Sequence, residues 1–598
     1  MVTASFALQS GTSRESAPEQ GSSALAANQH KVSHRADRGS SLAQGGARSD
    51  LSGNSLPQKL IDPEDATRED GFKFLREFLE KSSLHNATQL KLMFATLPDP
   101  IETHLASSFD HDVSALQDGI EDSNYVFDSS WIPWETSSFY EALADTVIEQ
   151  DVRDAEKEFP GILLFRKVTE PDGGTAGSAF DAGMIVILLA EKPTAGISIQ
   201  QTQHAIELLK LIQYPFAGLL RILGPSFSGS LPSLIPVVGI LRREYCDDSP
   251  LKVLIRSGGI TGDRTAQDSL SKLSLDGDLS IDAGSAEHSN EGQVKLILRK
   301  LGDWGIKPTQ IAVLTETESS FGREILRSRA DPWKIGFPRD ISALRTTYER
   351  QGILERVPLS GTARTFLQLE AEDEREGDSI KEFGDQQTVA AQESILFGIV
   401  AFLKTHDIRV VAIVATSEAD RYFLSEFIHA NVSGVRVLIV GSTRLFLRGS
   451  TSQFWGDLMV SSFPLLPQIY EWTGGESFGN PAYRRPRILP DDFSQGAYIA
   501  TRDLWAEETV GDPKTPSEVS SASASGDRKS DKNDSLKPFP DYGPLLWSKK
   551  RTDAPVAYPP VYLTALGAGS VWPVDSGLDC VVWTETTADK CPPPTAVW

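Results

Sequence analysis

The sequence predicts an α/β protein built as two successive lobes, each a mostly parallel sheet flanked by helices. Three observations predict it. Short apolar runs alternate with helix-length amphipathic segments from about residue 85 to 300. The alternation begins afresh at Gln310 and continues to about residue 470. In both stretches the apolar runs end in small or hydroxyl residues, such as Gly224-Pro225-Ser226, Thr416-Ser417 and Gly441-Ser442-Thr443. Ligands of open α/β sheets bind outside the carboxyl ends of the strands, so two such edges facing one another would make a cleft.

Met1 to about Pro57 is rich in Ser, Gly, Ala and Gln, too poor in apolar surface to offset the entropy of ordering, and reads as a disordered tail (1–57). A helix begins at Phe72. Within the first lobe (58–300), Leu90 to Thr96 is a strand and Ile101 to Ile120 a helix, with Leu105, Phe109, Val113, Leu116 and Ile120 at helical spacing. Tyr125 to Phe127 and Ile162 to Phe165 are extended, and Phe139 to Glu158 is helical. Gly183 to Ala190 is the strongest buried strand. A helix at Gln200 to Gln213, the strand Leu219 to Leu223 and the strand Val253 to Ser257 complete the series. Asp263 to Ser289 is polar and reads as a loop, and a helix runs from Gln293 to about Leu301.

The second lobe (301–472) opens with Gln310 to Leu314, then a helix from Arg323 and another at Ile341 to Gln351. An acidic insertion (360–388, densest at Glu370 to Asp385) reads as a solvated excursion. Gln392 to Thr405 is an amphipathic helix. Strands at Arg409 to Ala415, Val435 to Val440 and Leu458 to Ser461 follow, with a helix at Ala419 to Ala430. Residues 473–598 read as an irregular extension, disordered over 513–536, with at most a short element at Gln495 to Trp505. The close at Cys591 to Trp598 does not read as the end of a domain.

The formal charge of -24 excludes nucleic acid and anionic membrane surfaces as expected partners, since both need basic surface. Three cysteines, none in a C-x-x-C pair, and nine scattered histidines without an H-E-x-x-H motif give no metal or disulfide framework, so neither metal nor cofactor is expected. The first thirty residues lack a secretory pattern, and no run of about 18 apolar residues exists. A cytoplasmic location without a membrane span follows from that. Periplasmic or membrane-complex association enters only if the chain continues beyond this sequence.

Leu219 to Ile240 is the most informative stretch. A strand stops at Gly224-Pro225, three serines (Ser226, Ser228, Ser230) follow around Gly229, and a helix begins with Ser230 as N-cap and Pro232 in its first turn; Pro236 weakens that helix. Free backbone N–H groups and the helix dipole at such a turn favour a carboxylate or phosphate. The bland reading is a tight βα turn.

Four pieces together resemble the type I periplasmic-binding-protein fold of branched-chain amino-acid binding proteins and receptor ligand-binding regions. They are the Leu90 strand with its helix, Leu223-Gly224-Pro225-Ser226-Phe227-Ser228 (similar to a G-P-x-x-S turn), Ile311 to Leu314 with Ser319-Ser320-Phe321-Gly322 (similar to a D-x-x-Y-G element), and the strands from Val410 to Pro464. The resemblance implies a non-catalytic binding or sensing protein that grips an amino-acid-like, small polar or anionic ligand between hinged lobes. It makes Ser226, Ser228, Gly229 and Ser230 anion contacts, with Thr315, Glu316, Ser319, Phe321, Thr416 and Ser442 at the second lobe's rim. Phe321 replaces the motif's tyrosine, and the insertion and tail are extra.

Two alternatives stand beside it. Gly224 to Ser228 is one residue from a G-x-S-x-G elbow, which would make Ser226 a hydrolase nucleophile with His288, His406 or His429 as base. A degenerate binding fold, docking protein partners through its tails and acidic run, is the other.

Overall fold

The computed structural model describes residues 78–79, 89–100, 105–123, 125–133, 158–167, 182–193, 195–212, 219–245, 251–259, 279–288, 290–327, 332–339, 341–351, 388–448, 452–465, 489–506, 561–568 and 570–576. Both tails read as disordered, the helix read at Phe139 to Glu158 apart from its last residue, most of the helix begun at Phe72, the acidic insertion up to residue 387 and all three cysteines lie outside the described residues.

The first lobe runs β1 (Gln89–Pro98), α1 (Ala106–Glu121), β2 (Tyr125–Trp131), β3 (Gly161–Lys167), β4 (Ala182–Lys192), the short β5 (Gly196–Ile197), α2 (Ile199–Leu211), β6 (Leu219–Leu223), α3 (Leu231–Tyr245), β7 (Leu251–Ser257) and β8 (Leu279–Ser285). One sheet takes the order β2-β3-β4-β1-β6-β7-β8, with β5 beside β4. From β4 to β8 the neighbours are parallel, while β2 and β3 join antiparallel. The sheet is therefore mixed at one side.

The central strand β4 is buried along all but its last residue because helices cover both faces. Alternate side chains of β1 show the two faces. Leu92 and Phe94 pack with α2 and α3, against Leu208, Leu234 and Val238. Met93 and Ala95 point the other way, towards Phe109 and Leu116 of α1. Each fully buried aliphatic or aromatic side chain of this kind contributes roughly 1.5–3 kcal/mol. Ser198 caps α2 by accepting the Gln201 N–H. Helix α3 carries Pro236 inside it rather than ending there.

The second lobe begins with α4 (Asn290–Asp303) and continues through β9 (Ile311–Glu316), α5 (Ser320–Arg327), β10 (Trp333–Phe337), α6 (Ser342–Gln351), α7 (Val389–Thr405), β11 (Val410–Val414), α8 (Glu418–Asn431), β12 (Arg436–Val440) and β13 (Leu458–Ser461). After α9 (Asp492–Ala506), β14 (Tyr562–Gly567) and β15 (Ser570–Ser576) return to the same sheet, whose order is β10-β9-β11-β12-β13-β14-β15. The first five strands are parallel and the last two antiparallel. Again both faces are covered, Leu314 and Ile413 meeting Leu344, Leu403 and Phe427, and Val313 and Ala412 meeting Ile297 and Ile325.

Four features depart from the sequence reading. Leu279–Ser285, read as loop, is the edge strand β8; Leu279, Ala283, Gly284 and Ser285 are buried while Ser280 is exposed, a burial without regular alternation in a segment flanked by polar residues. The strand β10 was not foreseen, because three of its five residues are only half-buried. Within 473–598, read as irregular, α9 is a full helix of the first lobe and β14–β15 a hairpin of the second. Helix α9 lays Ala500, Leu504 and Trp505 beside Leu116 and Leu163, and Arg221 of β6 donates to the Leu504 carbonyl and stacks over Trp505 at 4.4 Å. A cation at a helix carboxyl end meets its dipole.

Among the described elements the chain thus passes between the lobes three times: after β8, between β13 and α9, and between α9 and β14. Among the described residues no helix is long and apolar enough to cross a membrane.

Candidate functional site

The two sheets turn their carboxyl edges towards the crossings. The short helical turn at Ser228–Ser230, just beyond β6, packs against the first turn of α5 in the other lobe. A Cβ added at Gly229 would lie 3.5 Å from Ser320 Oγ and would collide with the Pro193 carbonyl oxygen. Only glycine admits that approach.

The donors at this turn are already taken. The Ser226 N–H donates to Glu191 Oε2 and the Phe227 N–H to Glu191 Oε1, each at 2.8 Å. The Thr96 hydroxyl adds a third bond to Oε2 at 2.8 Å. Glu191, the last but one residue of β4, is fully buried. Burial pushes its carboxyl up, and these three donors pull it back part of the way. Gly224 makes the geometry feasible: its φ is +109°, and a Cβ there would strike the Thr96 hydroxyl. The sequence reading left these N–H groups free for a ligand; in the fold they hold the chain's own carboxylate. Ser226 Oγ donates to the Thr96 carbonyl at 3.4 Å, and Ser230 Oγ, fully buried, to the Lys192 carbonyl at 2.9 Å. Ser228 is buried in the turn.

The second lobe repeats the device. Glu316 ends β9 and is buried; its carboxylate takes the Thr416 N–H and, at 2.7 Å, the Thr416 hydroxyl beyond β11. Burial raises this carboxyl to about 7 against the pull of Thr416 and Ser319. Ser319 Oγ also accepts the Gly322 N–H, capping α5. Ser442 Oγ donates to the Phe463 carbonyl, and its own carbonyl accepts the Asp492 N–H. Thr315 is fully buried with its hydroxyl unpartnered. Phe321 is the second residue of α5; its side chain lies outside the described part. The ten residues singled out thus gather at the two facing edges, but nearly all their described polar groups are spent inside their own lobe.

No local pattern points to the ionisable groups around the second crossing. His111 Nδ1 of α1 lies 3.0 Å from Asp491 Oδ2. Glu418, at the start of α8, accepts the Thr443 hydroxyl at 2.6 Å and shares a hydrogen bond with Asp491. Burial and the Asp491 charge push Glu418 well up. Asp491 is held down despite its burial by His111, Glu418 and the Ser494 N–H, and its hydrogen bond raises His111. One proton shared between the carboxyls explains both directions. The ligand atoms of His111, Glu418 and Asp491 lie within 4.8 Å of one another, a mixed nitrogen and oxygen set that could hold a divalent cation. Arg421 Nη2 faces Asp492 Oδ1 at 3.3 Å, and Arg421 Nη1 donates to the Val440 carbonyl at 2.9 Å. No motif could have revealed these contacts, since His111 and Asp491 are 380 positions apart.

Between these groups and the Ser226 turn lies a cavity of about 10 Å³, room for about one water, lined by Thr96, Asp112, Ser226, Gly259 and Phe493 among others. Asp112 Oδ1 is buried without a hydrogen-bond partner. Burial, then the Asp491 charge, push the Asp112 carboxyl well above the usual range.

For a hydrolase, Ser226 would need a base. Among the described residues no histidine bonds to it. His406 stacks on Phe402 ahead of β11, and His429 bonds Asp457 ahead of β13, both at the amino ends of the strands. His288 donates its backbone N–H to Ser462 at the first crossing.

No family model matches the chain, and no curated protein matches it. Among solved structures it is similar to a solute-binding protein of an ABC transporter from R. palustris in complex with benzoate, at 12% identity, covering 82% of this chain and 96% of that one with a TM-score of 0.36. It is also similar to an ABC transporter substrate-binding protein from Desulfitobacterium hafniense in complex with Leu, at 11% identity over 71% of this chain and 85% of that one, TM-score 0.32. A further substrate-binding protein from the same organism gives 10%, 70% and 84%, TM-score 0.30. Two mixed, mostly parallel sheets, covered by helices and joined by crossings of the chain, make this a two-lobed α/β fold, the architecture that the resemblance to type I periplasmic-binding proteins implies.

Proposed function

We propose that this chain is a non-catalytic binding or sensing protein for a small polar, amino-acid-like molecule taken between its lobes. The observation that carries the reading is the unpartnered, buried Asp112 carboxyl in the cavity at the carboxyl edge of the first sheet, beside Ser226 and under Phe493 of the crossing segment. A buried acceptor without a donor costs free energy in the empty state. An ammonium or amide group entering there offsets that cost, and three crossings provide the hinge about which the lobes part to admit it. Isothermal titration against a panel of amino acids and small amines tests this. Heat from an amine-bearing member, abolished in Asp112→Ala, is the expected result. No heat from any member overturns it.

A second reading is favoured by one observation, the room for only about one water in that cavity: a degenerate binding fold kept as a protein-contact scaffold. A silent panel supports it.

A further inference from the structure

The turn beyond β6 binds a carboxylate in the fold itself, and the way it does so is specific. Two consecutive N–H groups, Ser226 and Phe227, address the two oxygens of Glu191 separately, and the Thr96 hydroxyl from the intervening strand β1 closes on one of them, all three at 2.8 Å. The carboxylate is fully buried, so the donors replace water almost entirely. Charge-assisted bonds of this kind are about twice as strong as neutral ones. The positive φ of Gly224 sets the turn against Thr96. The second lobe builds a simpler relative of it, Glu316 taking the N–H and the hydroxyl of the single residue Thr416. Strand-end donors that must be satisfied by an anion are thus satisfied in both lobes from within.

We propose that the Thr96–Ser226–Phe227 cradle is a carboxylate-binding site whose resident is Glu191. Glu191 acts as a tethered surrogate ligand: it excludes any free ligand that would present an anion at this turn, and its removal opens the cradle to a free monocarboxylate of formate or acetate size. This deepens the binding function proposed above by fixing which ligands that site refuses, yet the cradle's own behaviour does not depend on the native chain binding anything.

The test is chemical rescue in the full chain. Glu191→Ala empties the cradle, whereas Glu191→Gln keeps it filled while turning an NH2 towards a donor. Thermal unfolding is followed with increasing sodium formate or acetate against sodium chloride at matched ionic strength. Both variants are expected to melt below the native chain. Acetate is expected to raise the melting temperature of Glu191→Ala with the logarithm of its concentration, as a ligand specific for the folded state does, and to leave Glu191→Gln and the native chain where chloride leaves them. If Glu191→Ala does not fold in chloride, the yield of folded protein on refolding in acetate is read instead, and recovery there supports the site. Equal effects of acetate and chloride, equal effects on all three chains, or a Glu191→Ala as stable as the native chain would overturn the proposal. A native chain silent towards the amine panel overturns only the function proposed earlier.

Discussion

Arg421 is the buried countercharge where α8 meets the second crossing, and its removal is the sharpest test of how the lobes are joined. The side chain is 1% exposed. Its guanidinium faces Asp492 at 3.3 Å, donates to the Val440 carbonyl and lies 5.6 Å from the Phe493 ring. Gly441, at φ +101°, leaves the space that a Cβ would take from it. Asp492, Glu418 and Asp491 all feel its charge. Arg421→Met keeps most of the volume and leaves Asp492 buried and uncompensated, a loss of about 3–5 kcal/mol. The double variant Arg421→Met/Asp492→Leu removes both charges, so it is expected to lose less than the single change, a non-additivity that marks a direct pair. Urea unfolding at pH 8 and pH 5.5 measures both. The single variant's loss is expected to be larger at pH 8, because the stranded carboxyls can take up protons at the lower pH. A loss under about 1 kcal/mol, or strict additivity, would refute the assignment of Arg421 as the countercharge.

Two further outcomes follow from strand-end chemistry. Glu316 has its folded-state carboxyl raised to about 7 by burial, and Glu287 is raised to about 8 by burial and the nearby Asp492 charge. A raised carboxyl contributes stability that is full below its unfolded value and is lost as pH rises through the folded one. Stability should therefore fall from about pH 4.5 to about pH 8, and Glu316→Gln should flatten the slope below pH 7 in denaturant titrations; an unchanged slope would contradict the burial of Glu316. Gly224→Ala forces a side chain into a positive-φ position and against Thr96, so about 1–3 kcal/mol should be lost on unfolding, with a fall under about 0.5 kcal/mol counting against this turn geometry.

Much of the architecture was legible because burial on both faces turns strands into uninterrupted apolar runs. Strands β4 and β11 read that way, and the alternation around them gave two α/β lobes. What escaped were elements whose partners lie far along the chain. The apolar stripe of α9, Ala500, Leu504 and Trp505, means little until α1 and β6 are placed opposite it. Strand β15 carries exposed Trp572 and Val574 and a proline, so its pairing with β14 leaves almost no local pattern. The site divides in the same way. The punctuation Gly224-Pro225-Ser226 marks a turn at a strand end wherever it occurs. Its occupant does not show, because Glu191 stands 35 positions earlier and looks in sequence like an ordinary solvated end to an apolar strand.

The unforeseen occupant changes what the facing edges can recognise. A parallel strand's carboxyl end leads into a turn whose N–H groups point outward, and in an open sheet those donors are what an anionic ligand would use. Here Glu191 and Glu316 consume them at the price of their own desolvation. The described groups still lacking a partner near these edges are mixed: the Asp112 carboxyl, the Thr315 hydroxyl, which can act either way, the Gln495 side-chain amide and the Arg421 Nε donor. The second crossing adds carboxyls in excess of its buried guanidinium, and burial raises those of Asp112 and Glu418 so that they hold their protons further up the pH range. The donors of the serine turn and of Thr416 are thus spent on the chain's own carboxyl groups, so an anion offered at either edge meets acceptors already in place.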